Sequence, residues 1–541
     1  MRSKEVAGVS TVHNIARLTS GGLPAMAAAL CLSTAVLLTA GCAVGPAYKR
    51  PEVKINNNWS QQHDERIATE TAPDITWWKA FNDPALDRLV DLAHRQNLSL
   101  QVAGLRIMES RARLGYAVGQ QYPQFQAAVG DLSAVGLSKK AANSAGADHS
   151  YVNLQSGFDA IWEIDFWKKY AKGVSAEEAG YFGSVADYDN ALVSIIAEVA
   201  RNYSVIRTFE VLIAQAEANV QVQEEGLRIA DARFRHGATS ELDVAQSKTL
   251  LESTRTTIPQ LQIGLVQAKN ALCVLLGETP GCADTLLEGP KEIPAPPALV
   301  SVSVPAEMLR RRADIRSAEL AAMAQCDRIG IAKADFYPRF SLFGSVGSQV
   351  SSHGNPDSNL GDFLSPDSLF FSIGPRLLWP LFNYGRIKNN VRIEDARFQQ
   401  LLVSYQDTVL RAEQEVEDGM TGFLRSQEAV VFAQNAADSA QRSVDLAFIQ
   451  YREGAVDFQR VLDAQRSLLQ EQNSLANTRS AVATNLIALY KALGGGWEIR
   501  QGQPTVDDAN QNEMEERTDW GDYFSKPPDR HTPDDSQTDP R

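Results

Sequence analysis

The chain has 541 residues, of which 44% are apolar and only 8% aromatic, a lean supply for one large enzyme-like core. Its formal charge of −14 argues against nucleic acid as a partner, because a phosphate-binding surface needs clustered Lys and Arg to release counterions. Five cysteines without a CxxC pair and seven scattered histidines leave no legible metal-ligand spacing.

At the N-terminus, Arg2, Lys4 and Arg17 precede the apolar run GLPAMAAALCLSTAVLLTAGC, a cationic region followed by an apolar one that ends in small residues, as in an export signal. The run is also nearly long enough, at ~20 residues, to span a membrane as a helix. LTAGC decides between the two readings. It is similar to a bacterial lipobox: Ala40 and Gly41 are small enough for the signal peptidase, and Cys42 supplies the thiol that takes a diacylglyceryl group, although Thr39 stands where the motif prefers Leu. Residues 1–41 are therefore expected to be a lipoprotein signal peptide. Covalent lipid on Cys42 is the only cofactor expected, with two or three acyl chains giving stable anchoring where one would not. Ala43, rather than Asp, matches the usual sorting signal for the outer membrane. Cys273, Cys282 and Cys326 then remain in an oxidising compartment, an odd number. Cys273 and Cys282 are near enough in sequence to bridge and suit small apolar core positions equally well; the sequence leaves both readings open.

From there on the chain is written twice. RLGYAVGQQYPQF from Arg113 matches RIGIAKADFYPRF from Arg328, so that Tyr122, Pro123 and Phe125 recur as Tyr337, Pro338 and Phe340, displaced by 215 residues (337 − 122). FRHGATSELDV from Phe234 matches YREGAVDFQRV from Tyr451, displaced by 217 (451 − 234), and the same displacement joins Trp162 to Trp379 and Glu198 to Glu415. The first repeat is expected over 42–280 and the second over 281–497.

Each repeat opens on a helical pattern with apolar residues three and four apart, ended by Tyr-Pro because proline lacks an N–H and restrains the residue before it. Alternating segments follow. In YVNLQSGFDAIW, Val152, Leu154, Phe158, Ala160 and Trp162 share a face opposite Asn153, Gln155 and Asp159. In FSLFGSVGSQV, Phe340, Leu342, Val346 and Val350 lie opposite Ser341, Ser345 and Gln349, and FFSIGPRLLW groups Phe371, Ile373, Leu377 and Trp379. Polar loops rich in Gly, Ser, Asn and Asp separate the segments, which predicts one β-hairpin per repeat. Helical sequence then resumes over roughly Lys169 to His236 and Arg386 to Glu453; at ~1.5 Å per residue each helix is on the order of 100 Å long. Gly237 and Gly454 break these helices, Ser240 and Asp457 stand at the start of the returning ones, and Pro259 is set to kink the first of those.

Polar-in, apolar-out alternation with aromatics near the strand ends is the pattern of a membrane β-barrel. Four strands cannot close a barrel, and an open edge in hydrocarbon leaves backbone groups unpaired at several kcal/mol each, so other copies must supply the missing strands. Two copies would give a filled barrel and three a barrel with room for a channel. The long amphipathic helices could continue such a tube as coiled coils.

The segments GCAVGPAYKRP, WWKAFNDPALDRLV, YPRFSLFGSVG, YREG, VLDAQRSLL and LYKALGGGW, in this order over about Cys42 to Trp497, resemble the outer-membrane factors of the TolC superfamily, specifically the lipoprotein branch that serves RND efflux pumps. The fold that this resemblance implies is mainly α with membrane β: a homotrimer with a twelve-stranded β-barrel in outer-membrane lipid, four strands from each protomer, and a long α-helical barrel in the periplasm. It implies a passive exit duct, with no enzymatic activity, fed by an inner-membrane RND pump through a periplasmic adaptor. It also places the turns at Gly237 and Gly454 at the periplasmic tip, where the channel closes. Asp463 of VLDAQR matches the aspartate that tends to ring the constriction, and Tyr451 and Arg466 match the tyrosine and basic residue that tie neighbouring helices. Arg460 stands where some relatives are acidic, which weakens the expectation of a doubly acidic ring with a strong cation preference. Without the resemblance, Asp463 and Arg466 are a plain helix-surface pair contributing ~0.2–0.5 kcal/mol.

An adaptor lipoprotein is the alternative; it would show one coiled-coil hairpin between soluble β-domains. No GxxxxGK[ST], G-x-S-x-G or HExxH motif supports nucleotide use or hydrolysis. The tail 498–541 is acidic, rich in Pro, Gln and Thr, and aperiodic, the composition of a disordered spacer. Which compounds pass through is not written in the chain.

Overall fold

A computed structural model describes residues 43–68, 75–140, 142, 149–287, 289, 291–302, 305, 311–352 and 359–524. In chain order the elements are β1 (Ile67–Ala68), α1 (Pro84–Gln96), α2 (Leu98–Gly119), β2 (Phe125–Gly136), β3 (Ser150–Glu163), α3 (Lys169–Arg235), α4 (Glu241–Leu275), α5 (Ala283–Leu286), β4 (Val300–Ser301), α6 (Ala313–Ala334), β5 (Arg339–Ser351), β6 (Leu369–Leu378), α7 (Arg386–Arg452), α8 (Phe458–Ala492) and α9 (Asp508–Arg517). The duplication is visible in lengths: α3 and α7 have 67 residues each, α4 and α8 have 35 each.

The boundary near 280 that separates the sequence repeats does not separate compact units. One unit is Ala112–Ala179 and Met323–Gln399 with the described part of Met1–Lys49; the other is Arg50–Arg111, Gly180–Ala322 and the described part of Gln400–Arg541. Each unit draws on both repeats, because strands and helices of one repeat satisfy their bonds and bury their faces against those of the other.

The first unit is built around one antiparallel sheet in the order β2-β3-β5-β6. Its central ladder, β3 with β5, joins the two repeats and sets Leu154 opposite Val350, Phe158 opposite Val346 and Trp162 opposite Leu342. β6 continues that face with Phe371 opposite Val346 and Leu377 opposite Phe340. The apolar alternation of separate segments is thus brought into one register, because a slip of one residue would turn every apolar side chain to the polar side. Among the described residues most of this face is uncovered, Phe371 being 81% and Leu132 70% exposed, while its end at Val350 is buried. On the opposite face the Ser345 hydroxyl donates to Asp159 Oδ1 at 2.6 Å, and the Gln349 amide and the Ser351 hydroxyl donate to Asn153 Oδ1 at 3.1 Å. The repeat also fixes the strand ends. Trp162 Nε1 donates to the Gln121 carbonyl at 3.2 Å, and its counterpart Trp379 Nε1 donates to the Phe336 carbonyl at 3.0 Å, in both cases the residue before the tyrosine of Tyr-Pro.

The second unit has the hydrophobic core. Trp77 stacks on Tyr490 at 5.3 Å between centroids, and Leu86, Leu89, Ile196, Val409, Phe423 and Leu486 are fully enclosed around them. Asp83 caps α1, with Pro84 in the first turn; its Oδ1 accepts from Ala85 N at 2.9 Å while its Oδ2 accepts from the Tyr203 hydroxyl of α3 at 2.6 Å. Burial, reinforced by that bond, pushes the Tyr203 phenol up to about 12. The strap before α1 is held along helices by carboxylates. Arg50 meets Glu319 at 2.5 Å, Asn56 N meets Glu413 at 2.9 Å, Ser60 N meets Glu417 at 2.8 Å and Arg66 meets Glu428 at 3.0 Å, after which β1 pairs in parallel with β4.

Two expectations are resolved here. Cys273 and Cys282 form a disulfide, with Cα atoms 5.8 Å apart, between the end of α4 and α5, and Cys326 is buried with its thiol free. The expectation for the tail is corrected over 498–524, which is folded onto the second unit, while 525–541 lie outside the described residues. Arg500 Nε donates at 2.6 Å to Asp189, a fully buried carboxylate that also receives Arg316 at 2.5 Å. Val506 is buried, Trp520 and Phe524 pack against the core, and Arg111 lies 4.9 Å over the Tyr523 ring while donating to its carbonyl. Composition suggested disorder because apolar residues are few there; those few are spaced to dock on a surface that other segments build.

Replacing both Cys273 and Cys282 by Ser should cost about 2–3 kcal/mol through the freed loop. The check is a lower thermal midpoint for the variant, together with loss of the shift that a reductant causes in the parent. A Cβ on Gly104 would lie 1.9 Å from the Thr505 carbonyl oxygen, so Gly104→Ala should lift the C-terminal segment and expose 497–524 to limited proteolysis; an unchanged cleavage pattern would show that the segment is not seated there.

Candidate functional site

The two glycine turns are built alike. Gly237 has φ +72° and Gly454 φ +75°, a left-handed conformation that side chains disfavour. A Cβ on Gly237 would meet nothing within 4 Å, so backbone conformation rather than crowding calls for glycine there. Each turn ends its helix with the same bond: Ala238 N donates to the Arg233 carbonyl and Ala455 N to the Gln450 carbonyl, both at 2.8 Å. Ser240 and Asp457 occupy the capping positions of α4 and α8 in extended conformation, but neither side chain makes a capping bond.

The structure separates the expected site residues into two groups. Tyr451 faces inward. It is 4% exposed, lies 4.9 Å from the Phe458 ring and joins Ala230, Leu250, Val461 and Leu462 in a small apolar cluster beneath the turns. Asp463, Arg460 and Arg466 lie together on the opposite, solvent-exposed face of α8, one turn apart. Asp463 Oδ1 accepts from Gln459 Nε2 at 3.0 Å and meets Arg466 Nη1 at 3.6 Å. The carboxylate is 58% and the guanidinium 49% exposed, so their pairing holds little of the fold. Arg460 makes no ion pair among the described residues. Cys42 lies outside the described residues.

One residue of this site was missed in the sequence. Arg233 of α3 places its guanidinium 4.5 Å over the Tyr451 ring and donates to the Tyr451 carbonyl at 2.5 Å, tying the turn of one repeat to the turn of the other. The signal was present as a break in the duplication: at the displacement of 217, Arg233 corresponds to Gln450 and Phe234 to Tyr451, so the cation and the phenol come from different repeats.

The sequence family described as outer membrane efflux protein matches residues 89–278 and 304–495, most of the chain and up to the C-terminal segment. Cation efflux system protein CusC of Escherichia coli (strain K12) is 28% identical over 474 residues, covering 85% of this chain and 97% of its own. Solvent efflux pump outer membrane protein SrpC of Pseudomonas putida is 28% identical over 484 residues, 86% of this chain and 98% of its own. Among solved structures, the outer-membrane channel OprN superimposes with a TM-score of 0.78 at 28% identity, covering 84% of this chain and all of that one. The open state of the Neisseria gonorrhoeae MtrE outer membrane channel gives 0.70 at 25% identity, over 84% and 99%. The adaptor alternative fails, since two helix pairs and a shared four-stranded sheet replace its single hairpin. From its matching sequence, its duplicated helix pairs and the channel structures on which it superimposes, the chain belongs to the outer membrane efflux protein family, as a channel of the TolC superfamily in the bacterial outer membrane.

Proposed function

We propose that three copies of this chain join their sheets into a twelve-stranded barrel and work as the exit duct of a tripartite efflux system. Cargo would arrive from an inner-membrane RND pump through a periplasmic adaptor, and conduction would be passive, with no chemical step. The observation that carries this reading is the open sheet: among the described residues β2 and β6 each have a free edge, and most of the apolar face has no cover. In lipid those edges need partners, and copies of the same strands are the nearest supply. Three protomers leave a lumen where two would not.

The exposed stripe of Arg460, Asp463 and Arg466 beside the Gly454 turn is the proposed constriction. Charges that hold little of the fold are free to face a pore, and Tyr451 supports them from the packed side with Arg233 as its clamp. With two arginines to one aspartate on this stripe, the ring is not strongly cation-selective. Lipid on Cys42 would add anchoring beyond the barrel.

Removing Asp463 and Arg466 together, as Asp463→Ala with Arg466→Ala, should raise single-channel conductance in planar bilayers several-fold; unchanged conductance would leave the pair as an ordinary surface contact. The detergent-solubilised protein should have the mass of a trimer by native mass spectrometry. A stable monomer would remove the basis for the shared barrel.

A further inference from the structure

The inward stripe of α3 changes character along the helix. Over 192–212 its large apolar members are Leu192, Ile196, Val199, Tyr203, Ile206 and Leu212, all buried, and the buried polar groups beside them have partners, Arg207 with Glu210 and Tyr203 and Thr208 with the Ser204 carbonyl. Toward Gly237 it continues, at the same helical spacings, as Ala216, Asn219, Gln223, Gly226 and Ala230. The accompanying helices add buried Ser247 and Thr254 of α4, Ala437 and Ala440 of α7 and Gln465 of α8, interleaved with apolar residues such as Leu250, Val444 and Leu468. Several of the polar groups are satisfied. Asn219 Nδ2 donates to Gln472 Oε1 at 2.7 Å, and Thr254 Oγ1 to the Leu250 carbonyl at 3.1 Å. Others are not: both amide atoms of Gln223, Nε2 of Gln465 and the hydroxyl of Tyr451 are enclosed without a hydrogen-bond partner among the described residues. Gln223 is 2% and Gln465 4% exposed. Gln465 reaches α3 one turn from Gln223, since a Cβ on Gly226 would lie 3.5 Å from Gln465 Nε2.

An enclosed amide that bonds to nothing destabilises the packed arrangement relative to any arrangement in which it is solvated. We infer that Gln223, Gln465 and the Tyr451 hydroxyl form a yielding layer between α3 and α8, which lets the turn-proximal parts of these helices part more readily than the remainder. Parting returns partners to all three groups. Arg233 is the opposing element, since its contact with Tyr451 holds the two turns together against that tendency. The inference deepens the proposed function and rests on it in one respect, that the turn end is where the channel closes; it adds which residues set how easily that end opens.

The test is hydrogen–deuterium exchange on the full-length trimer in lipid nanodiscs, comparing the parent with Gln223→Met combined with Gln465→Met. Methionine keeps the side-chain length and removes the amide. Amides over 216–235 and 458–475 should exchange about tenfold or more slowly in the variant, with 192–212 unchanged. Equal or faster exchange would overturn the inference, because the glutamines would then be bonded and holding the helices closed. If the double variant fails to assemble, the parent alone decides: its amides over 219–233 must exchange faster than those over 196–212, and uniform protection along α3 overturns the inference. Exchange does not depend on channel current, so failure of the constriction, seen as unchanged conductance without Asp463 and Arg466, and failure of the yielding layer are read separately.

Discussion

A strand at the edge of a sheet has N–H and C=O groups that water would satisfy and lipid cannot. Among the described residues this chain has two such edges, β2 and β6, on a sheet of four strands, most of whose apolar face lies bare. The rest of the design answers that constraint. The apolar side chains of β3, β5 and β6 fall in one register and the polar ones, Asp159 and Asn153 with their serine and glutamine partners, in the other, so that a curved continuation of the sheet would separate lipid from water. Duplication then supplies two hairpins and two helix pairs from one gene product, which halves the number of separate copies that a symmetric tube requires.

The helical unit is not uniformly firm. Around α1 and the middle of α3, large side chains are enclosed and the most deeply buried charges stand in company: Asp189 between Arg316 and Arg500, Arg207 beside Glu210 and Tyr203, Arg312 with Asp314 and Glu415. Removing every charged partner of the central group would leave a buried charge alone, a loss of about 3–5 kcal/mol, so these sets fix positions even where they add little net stability. Toward the glycine turns the inward stripe of α3 becomes small or polar, the apolar clusters shrink to that around Tyr451 and Phe458, and ion pairs lie at the surface, as with Arg228 and Glu225 or Arg255 and Glu224. Firmness where the segments meet and looseness near the turns suit a passage that must hold its place and still change its width.

Much of this was legible because repetition multiplies weak signals. A single alternating segment such as YVNLQSGFDAIW is ambiguous; the same alternation after a second Tyr-Pro, at a nearly constant displacement, is not. The glycine turns were legible for the same reason, each being a helix end that demands a left-handed residue. Three things were not. Composition could not foresee that Val506, Trp520 and Phe524 would find a docking surface, since that surface is assembled from α1, α2 and their neighbours. Spacing could not decide whether Cys273 and Cys282 bond, because the decision belongs to the turn between α4 and α5. Arg233 was hidden because its partner is 218 residues away in the other repeat, and only folding brings the two turns side by side.

The ladder between β3 and β5 has a consequence for biogenesis. Asn153 pairs with Ser351 and Trp162 with Leu342, so the middle of the sheet cannot form until the chain as far as Ser351, well into the second repeat, has emerged on the far side of the inner membrane. Until then the nascent polypeptide has one finished hairpin at most, with aromatic side chains that attract any greasy surface. A chain arrested halfway would therefore carry an unfinished sheet with bare apolar side chains, prone to aggregate instead of serving as a partial duct.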